Sequence, residues 1–309
     1  MKAKSLTTLK RMKRHWQIYA ILLIPLVYML IFDYGTMYGI QIAFRDYRPG
    51  KGITGSDWVG LKWFMKFLTD RDFGKVFWNT LVLSLYSFCT FPFPIILALI
   101  FNSIPSDKFR RSTQIISYVP HFISVTIMVG IVKMLLSPIS GIYGNVYRLF
   151  GGVGYPLDFR ALSGAFRHIY IWADVWQGVG WGSILYSSVL SSVPLELHEA
   201  ARVDGASKLK RIIHIDIPSI MPTVGIMLIL RFGGLIGAAT DKVLLLQSAL
   251  NLDTSEVIGT YVYKFGMNSF RNFSYGSAVG LFNTIINVAL MVIVNFVSKK
   301  VSEGDIELF

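Results

Sequence analysis

The feature that most constrains this chain is the length of its charge-free stretches. Val76–Ser106, Ser112–Val132, Val175–Leu195 and Asn272–Ser298 contain no Asp, Glu, Lys or Arg, and Trp16–Phe44 is broken only by Asp33. A weaker sixth stretch runs Ile217–Thr240 with Arg231 inside it. A helix needs about 20 apolar residues to cross a hydrocarbon core roughly 30 Å thick. Each stretch is too long for a buried strand and lacks strict alternation. The spacing predicts an all-α integral membrane protein with six transmembrane helices, at 18–40, 79–101, 113–135, 168–190, 218–239 and 276–297. Composition agrees: 53% of residues are hydrophobic and 16% charged, against about 25% charged in an average soluble domain. That excludes a water-soluble enzyme and an intrinsically disordered chain, which needs low hydrophobicity and high charge.

Six spans place both termini on one side. Lys2, Lys4, Lys10, Arg11, Lys13 and Arg14 precede the first span and mark that side as cytoplasmic. The first apolar run is longer than a signal-peptide core and no small-x-small site follows it, so it reads as a retained span. The segments placed inside (1–14, 102–112, 191–217, 299–309) hold 15 Lys/Arg in 63 residues; those placed outside (45–75, 137–167, 241–275) hold 13 in 97. The division is a cytoplasmic segment 1–17, a membrane domain 18–298 carrying the loop 191–217, and a cytoplasmic tail 299–309. The net charge of +12 is then a topology signal, and no nucleic acid partner is expected. Cys89 is the one cysteine, which excludes an internal disulfide and any Cys-based zinc site.

The loops differ in kind. Outside, Asp46, Pro49, Gly50, Gly52, Gly55 and Gly60 supply turn chemistry. Trp63, Phe64, Phe67 and Leu68 then fall at helical spacing, a short helix either in the bilayer interface or packed on protein. The segment 137–167 is rich in Gly, with Tyr143, Tyr147 and Tyr155, and either folds over a pathway or simply connects helices. Inside, 191–217 is too charged and too broken to span. Pro194 suits a first helical turn, and Glu196 and Glu199 lie where the helix dipole favours negative charge. Gly205 reaches φ > 0 cheaply and stops the helix. A second helix starts near Ala206 and carries Lys208, Lys210 and Arg211, and Pro218 opens the next span. Ala200 and Ala201 leave a small-residue patch that another backbone could approach.

Glu199-Ala200-Ala201, then Gly205, Ile215 and Ile217-Pro218, with three, nine and one residues between them, resemble the EAA motif of permease subunits in bacterial ABC importers. Ile217 replaces the usual Leu. Met37-Tyr38-Gly39, Ala43-Phe44, Asp46-Tyr47, Trp58-Val59-Gly60-Leu61 and Asn79-Thr80-Leu81 are similar to carbohydrate-type permeases, above all those for complex oligosaccharides such as pectin or alginate fragments. Gly141-Ile142 with Asn145 resembles the same permeases ahead of the fourth span. The resemblance implies a type I, maltose-permease-like fold in the bacterial plasma membrane. It implies that Glu199, Ala200, Ala201, Gly205, Ile215 and Pro218 belong to a coupling element docked on a cytoplasmic ATPase. It also implies a second homologous permease, two ATPase subunits that bind ATP and Mg, an extracellular or periplasmic sugar-binding protein, and alternating access. The acidic tail 302–309 either touches the ATPase or is a disordered end.

The chain itself is expected to be non-catalytic and to bind no cofactor or metal. It has no phosphate-binding G-x-x-x-x-G-K-[ST] loop and no G-x-S-x-G or H-E-x-x-H. His15, His121, His168, His198 and His214 are scattered. Asp33, Lys133, Asp174 and Arg231 are the ionisable residues within the spans, and charge buried in lipid is a functional hypothesis by default. Mutual pairing near the interface is the alternative for the first three. Arg231 is deepest, and a guanidinium there can grip a uronate carboxylate bidentately. Trp172, Trp176, Gln177, Asn79, Tyr86, Asn283 and Asn287 supply aromatic faces and amides of the kind sugars need; helix–helix hydrogen bonds or an interfacial aromatic belt are the alternative. Two other functions remain open from the residues: an ABC permease for another solute, and a stand-alone secondary transporter or membrane-embedded enzyme.

Overall fold

The computed structural model describes residues 14–233, 237, 239–268 and 271–301. The first helix, α1 (Trp16–Phe44), is apolar on every face, and none of its most apolar window is covered by the rest of the chain. Such a surface suits lipid or another membrane subunit, since a helix that is hydrophobic all round must bury every face. It tightens into a 3₁₀ turn at Tyr38–Phe44 and runs directly into a two-stranded antiparallel hairpin, β1 (Arg45–Arg48) and β2 (Gly52–Trp58). The all-α expectation missed this hairpin. The Arg45 guanidinium donates to the Ser56 carbonyl at 2.9 Å, and Arg45's own carbonyl accepts from Trp63 Nε1 at 3.0 Å.

Trp63 lies on α2 (Lys62–Leu68), which buries Trp63 and Phe67 one turn apart. Both pack with Val76, Ile258, Tyr261, Tyr275 and Ala278 in one aromatic core. Of the two readings of this helix, the structure shows the one packed on protein. The long α3 (Phe73–Asn102) is interrupted by a turn between Cys89 and Pro92, because Pro92 and Pro94 cannot donate to the preceding turn. The stretch placed at 113–135 is two helices, α4 (Asp107–Phe122) and α5 (Val125–Leu135), bent by 104°. Pro120 ends the first, and Ser124 caps the second by accepting from the Ile127 N–H.

A short α6 (Ile142–Leu149) crosses the Gly-rich segment. The 29-residue α7 (Ser163–Ser191) is about 43 Å long at 1.5 Å per residue and packs on α3, α4 and α5. Gly180 lets α7 touch α4: a Cβ there would sit 1.9 Å from the Ser117 carbonyl oxygen. Then come α8 (Leu195–Val203) and α9 (Lys208–Phe232), joined by a tight elbow. Three short helices, α10 (Thr240–Leu246), α11 (Leu252–Ser255) and α12 (Ile258–Val262), cap the hairpin end, and α13 (Phe273–Val301) closes the bundle against α1 and α9.

Four described helices are long and apolar enough to cross a membrane: α1, α3, α9 and α13; α4 with α5 makes a fifth if the bent pair counts as one. The chain is a multi-pass membrane protein. The expected fourth span, α7, has the length but not the apolarity, since it carries Arg167 and Asp174 and has a mixed composition. Pro218 opens no separate helix. From Lys208 the chain is one continuous helix, and a π turn at Ile212–Asp216 absorbs the proline, whose ring would otherwise strike the carbonyl four residues back.

Candidate functional site

The elbow is built from local chemistry. Pro194 stands at the N-cap of α8, with Glu196 in the first turn. At the other end Gly205 has φ of +76°. The Ala206 N–H reaches back to the Ala201 carbonyl at 2.8 Å, and the Gly205 N–H to the Arg202 carbonyl at 3.1 Å. Those two bonds define a Schellman cap, which needs a left-handed residue. Ser207 then caps α9 by accepting from the Lys210 N–H. The chain reverses in four residues, and α8 is held as a rigid knuckle. Glu199 and Ala200 are exposed on it, Ala201 is half-buried, and Leu195, Leu197 and Val203 stand out as exposed apolar side chains. Ile215 is half-buried, and Pro218 is exposed on α9. The helix thus presents exposed apolar side chains and a small residue beside the exposed carboxylates of Glu196 and Glu199.

A second region lies about midway along the bundle. A cavity of about 400 Å³ is lined by Thr90, Phe93, Asp174, Tyr186, Leu230 and Arg231 among others. Arg231 donates to the Ser87 hydroxyl at 2.7 Å and to its carbonyl at 3.3 Å. Among the described residues no carboxylate lies within ion-pair distance of it. Asp174 does have a counter-ion: Lys242 of α10 reaches it at 2.7 Å from a buried position and stands over the Tyr170 ring. Burial pushes the Lys242 ammonium below the ordinary lysine value, and the Asp174 charge opposes that shift. Lys242 offsets Asp174 from behind, and Arg231, held by the Ser87 hydroxyl, lines the cavity as a cation.

The structure brings Arg231 and Asp174 together and distributes the other pathway candidates. Trp172 and Trp176 are about half-exposed one turn apart on α7, and Trp172 stacks on Phe93 at 5.7 Å. Gln177 donates to the Ile123 carbonyl at 2.7 Å. Tyr86 is hydrogen-bonded to His168 at 2.9 Å. Asn79 is buried; its amide donates to the carbonyls of Asp253 and Glu256, and its oxygen accepts from Arg167. Asn283 and Asn287 are half-buried on α13. Lys133 offers its carbonyl to Arg160 at 3.3 Å, and Arg160 holds the Asp158 carboxyl below the usual carboxylate range. The tail 302–309 lies outside the described residues.

Sequence reasoning missed Lys242, read only as a loop charge, because its partner is 68 positions away. It also missed Asp216, which is 4% exposed. The available signal was a carboxylate set inside the apolar run Ile212-Ile213-His214-Ile215-Asp216-Ile217. A third omission is Glu256, buried between Lys75 at 3.2 Å and Lys264 at 3.1 Å. That cluster fastens the hairpin-end cap to α3.

Comparison with known proteins covers nearly the whole chain. The sequence profile described as "Binding-protein-dependent transport system inner membrane component" matches residues 90–303. Protein LplB of Bacillus subtilis (strain 168) is 35% identical over 96% of this chain and 93% of its own length. The polygalacturonan/rhamnogalacturonan transport system permease protein YteP of the same organism is 37% identical over 94% of this chain and 89% of its own. A chain from the crystal structure of a bacterial ABC transporter involved in import of the acidic polysaccharide alginate superposes with a TM-score of 0.84 at 33% identity, covering 95% of this chain and 99% of that one. A second structure, of a bacterial alginate ABC transporter in complex with an alginate pentasaccharide-bound periplasmic protein, gives 0.85 at 32% identity, covering 97% and 99%.

Proposed function

The chain belongs to the family of binding-protein-dependent transport system inner membrane components, and on that footing we propose that it is the permease subunit of an ABC importer for acidic oligosaccharides. It holds six transmembrane spans in the type I arrangement, with α7 as the fourth and both termini cytoplasmic. It pairs with a second permease, sits on two ATPase subunits that bind ATP and Mg, and receives sugar from an external binding protein. Its own residues carry out no bond chemistry.

The observation that carries this reading is the elbow. Glu199, Ala200 and Gly205 form a rigid, exposed knuckle continuous with α9, so a push on α8 becomes a movement of a membrane-length helix. Closure of the ATPase dimer moves the knuckles, and the spans swing between inward- and outward-facing states. This is a two-state element biased by a partner, the physical requirement for coupling.

The Arg231 cation on the cavity wall favours uronate-containing sugars. A guanidinium meets a carboxylate with two parallel N–H···O bonds, while aromatic faces such as Trp172 and Phe93 suit pyranose rings. Uptake by the reconstituted importer tests this with reducing-end-labelled oligogalacturonates, alginate oligosaccharides and neutral maltooligosaccharides. The reading expects acidic oligomers to be imported, and Arg231→Gln to lower that import roughly 10- to 100-fold, the equivalent of one lost charged hydrogen-bond pair of about 1.5–3 kcal/mol. Import of neutral oligomers alone would contradict it.

A further inference from the structure

Asp216 is a buried carboxylate to which the transport cycle assigns no role. It ends the π turn Ile212–Asp216, where the extra residue per turn shifts the helix face and turns a charged side chain inward. π turns of this kind recur at functional positions. Its Oδ1 faces His198 Nε2 at 3.4 Å and the Asn102 side-chain amide at 3.3 Å. These three residues come from three elements. His198 lies on α8, immediately before Glu199; Asn102 is the last residue of α3; Asp216 is in α9. A third contact crosses the same seam, from Lys208 Nζ to the Ser103 carbonyl at 2.9 Å.

A carboxylate this enclosed is costly unless its partners are held in place, so the cluster resists sliding of any one element past the other two. Deleting the hydrogen-bonding partner of a buried charge also destabilises more than the bond itself is worth. A surface hairpin needs no such fastening, and the Schellman cap alone fixes α8 to α9 without reaching α3.

We infer that Asp216, His198 and Asn102 form a transmission joint, which locks the knuckle α8 to the ends of two spans so that all three move as one body. Asp216 and His198 are positioning residues: they touch neither sugar nor nucleotide, and they convert displacement of α8 into displacement of α3 together with α9. The inference rests on the reading of 191–217 as the coupling element.

The test uses the assembled importer, with spin labels at Arg202→Cys on α8 and Ile100→Cys on α3 in a Cys89→Ser background. Electron–electron distances are recorded without nucleotide and with ATP plus EDTA, which permits ATPase closure without hydrolysis. The joint predicts one narrow distance, the same in both states. With His198→Ala or Asp216→Asn it predicts a distance that broadens or shifts on ATP addition by about 5 Å, one helical turn. His198→Gln, which keeps an amide donor toward Asp216, restores the narrow distance. His198 is partly exposed, so His198→Ala leaves an assembled complex to measure even if an Asp216 variant fails to fold. A distance that already moves with ATP in the unaltered joint overturns the inference, as does one that stays narrow in His198→Ala. Glu199→Lys separates this from failure of the underlying reading. If that variant keeps its ATPase subunits and imports at the normal rate, the coupling element lies elsewhere, whatever the distances show.

Discussion

At residue scale, the polar groups inside this bundle divide into fasteners and lining. Asn79 is a fastener. Its side chain makes three hydrogen bonds, two of them to carbonyls of the 253–256 segment. Asn79→Ala leaves both carbonyls and Arg167 short of a partner, at about 1–3 kcal/mol for each buried group. The expected outcome is a lower unfolding temperature for the detergent-purified subunit, with import preserved at permissive temperature. Lys242 is the counter-case, since it sets the charge of the cavity from behind. Lys242→Met frees the Asp174 carboxylate to repel an incoming uronate, so uptake of acidic oligomers falls while uptake of any accepted neutral oligomer is spared. Equal losses for both would make Lys242 a packing residue only. These roles were illegible in the sequence because each depends on a partner far along the chain: Asp174 with Lys242, Asn79 with Glu256.

At the scale of elements, the elbow shows how far local sequence reaches. Pro194, the early glutamates and Gly205 act within a few residues of themselves, and the helix–glycine–helix element could be read directly from them. Gly205→Val places a β-branched side chain at φ of +76°. A left-handed conformation costs an L-residue roughly 1–2 kcal/mol, and more where Cβ is branched. The expected result is loss of import with the ATPase subunits still hydrolysing ATP, measured side by side in proteoliposomes. Gly180 tests a different element. Gly180→Val drives a side chain into the Ser117 carbonyl, and overpacking of this kind costs about 1–3 kcal/mol. It should loosen α7 from α4 and lower the yield of folded subunit, whereas Gly178→Ala, with open space at its Cβ, should be tolerated. The hairpin β1–β2 escaped notice for the opposite reason. Arg-Asp-Tyr-Arg has no apolar alternation, and its strands are held by Trp63, Ser274 and each other.

At the scale of the whole molecule, hydropathy located the long helices because the bilayer imposes their length. It could not register the 104° bend between α4 and α5, which Pro120 and the Ser124 cap create within a continuous apolar run. Nor could it show that α9 begins at Lys208, since the π turn that carries the helix through Pro218 leaves no apolar signature. It ranked α7 as a span like the others, although that helix packs against neighbours along its length and trades apolarity for polar fasteners. The most apolar window of α1 is covered by no other part of the chain, a surface that suits lipid or another membrane subunit.

The central claim is that this subunit is moved through its knuckle by a nucleotide-driven partner. Its most direct test is a photoactivatable cross-linker on Val203→Cys, in a Cys89→Ser background, within the assembled importer. The account predicts a covalent product with an ATPase subunit. Capture of the external sugar-binding protein instead would contradict it.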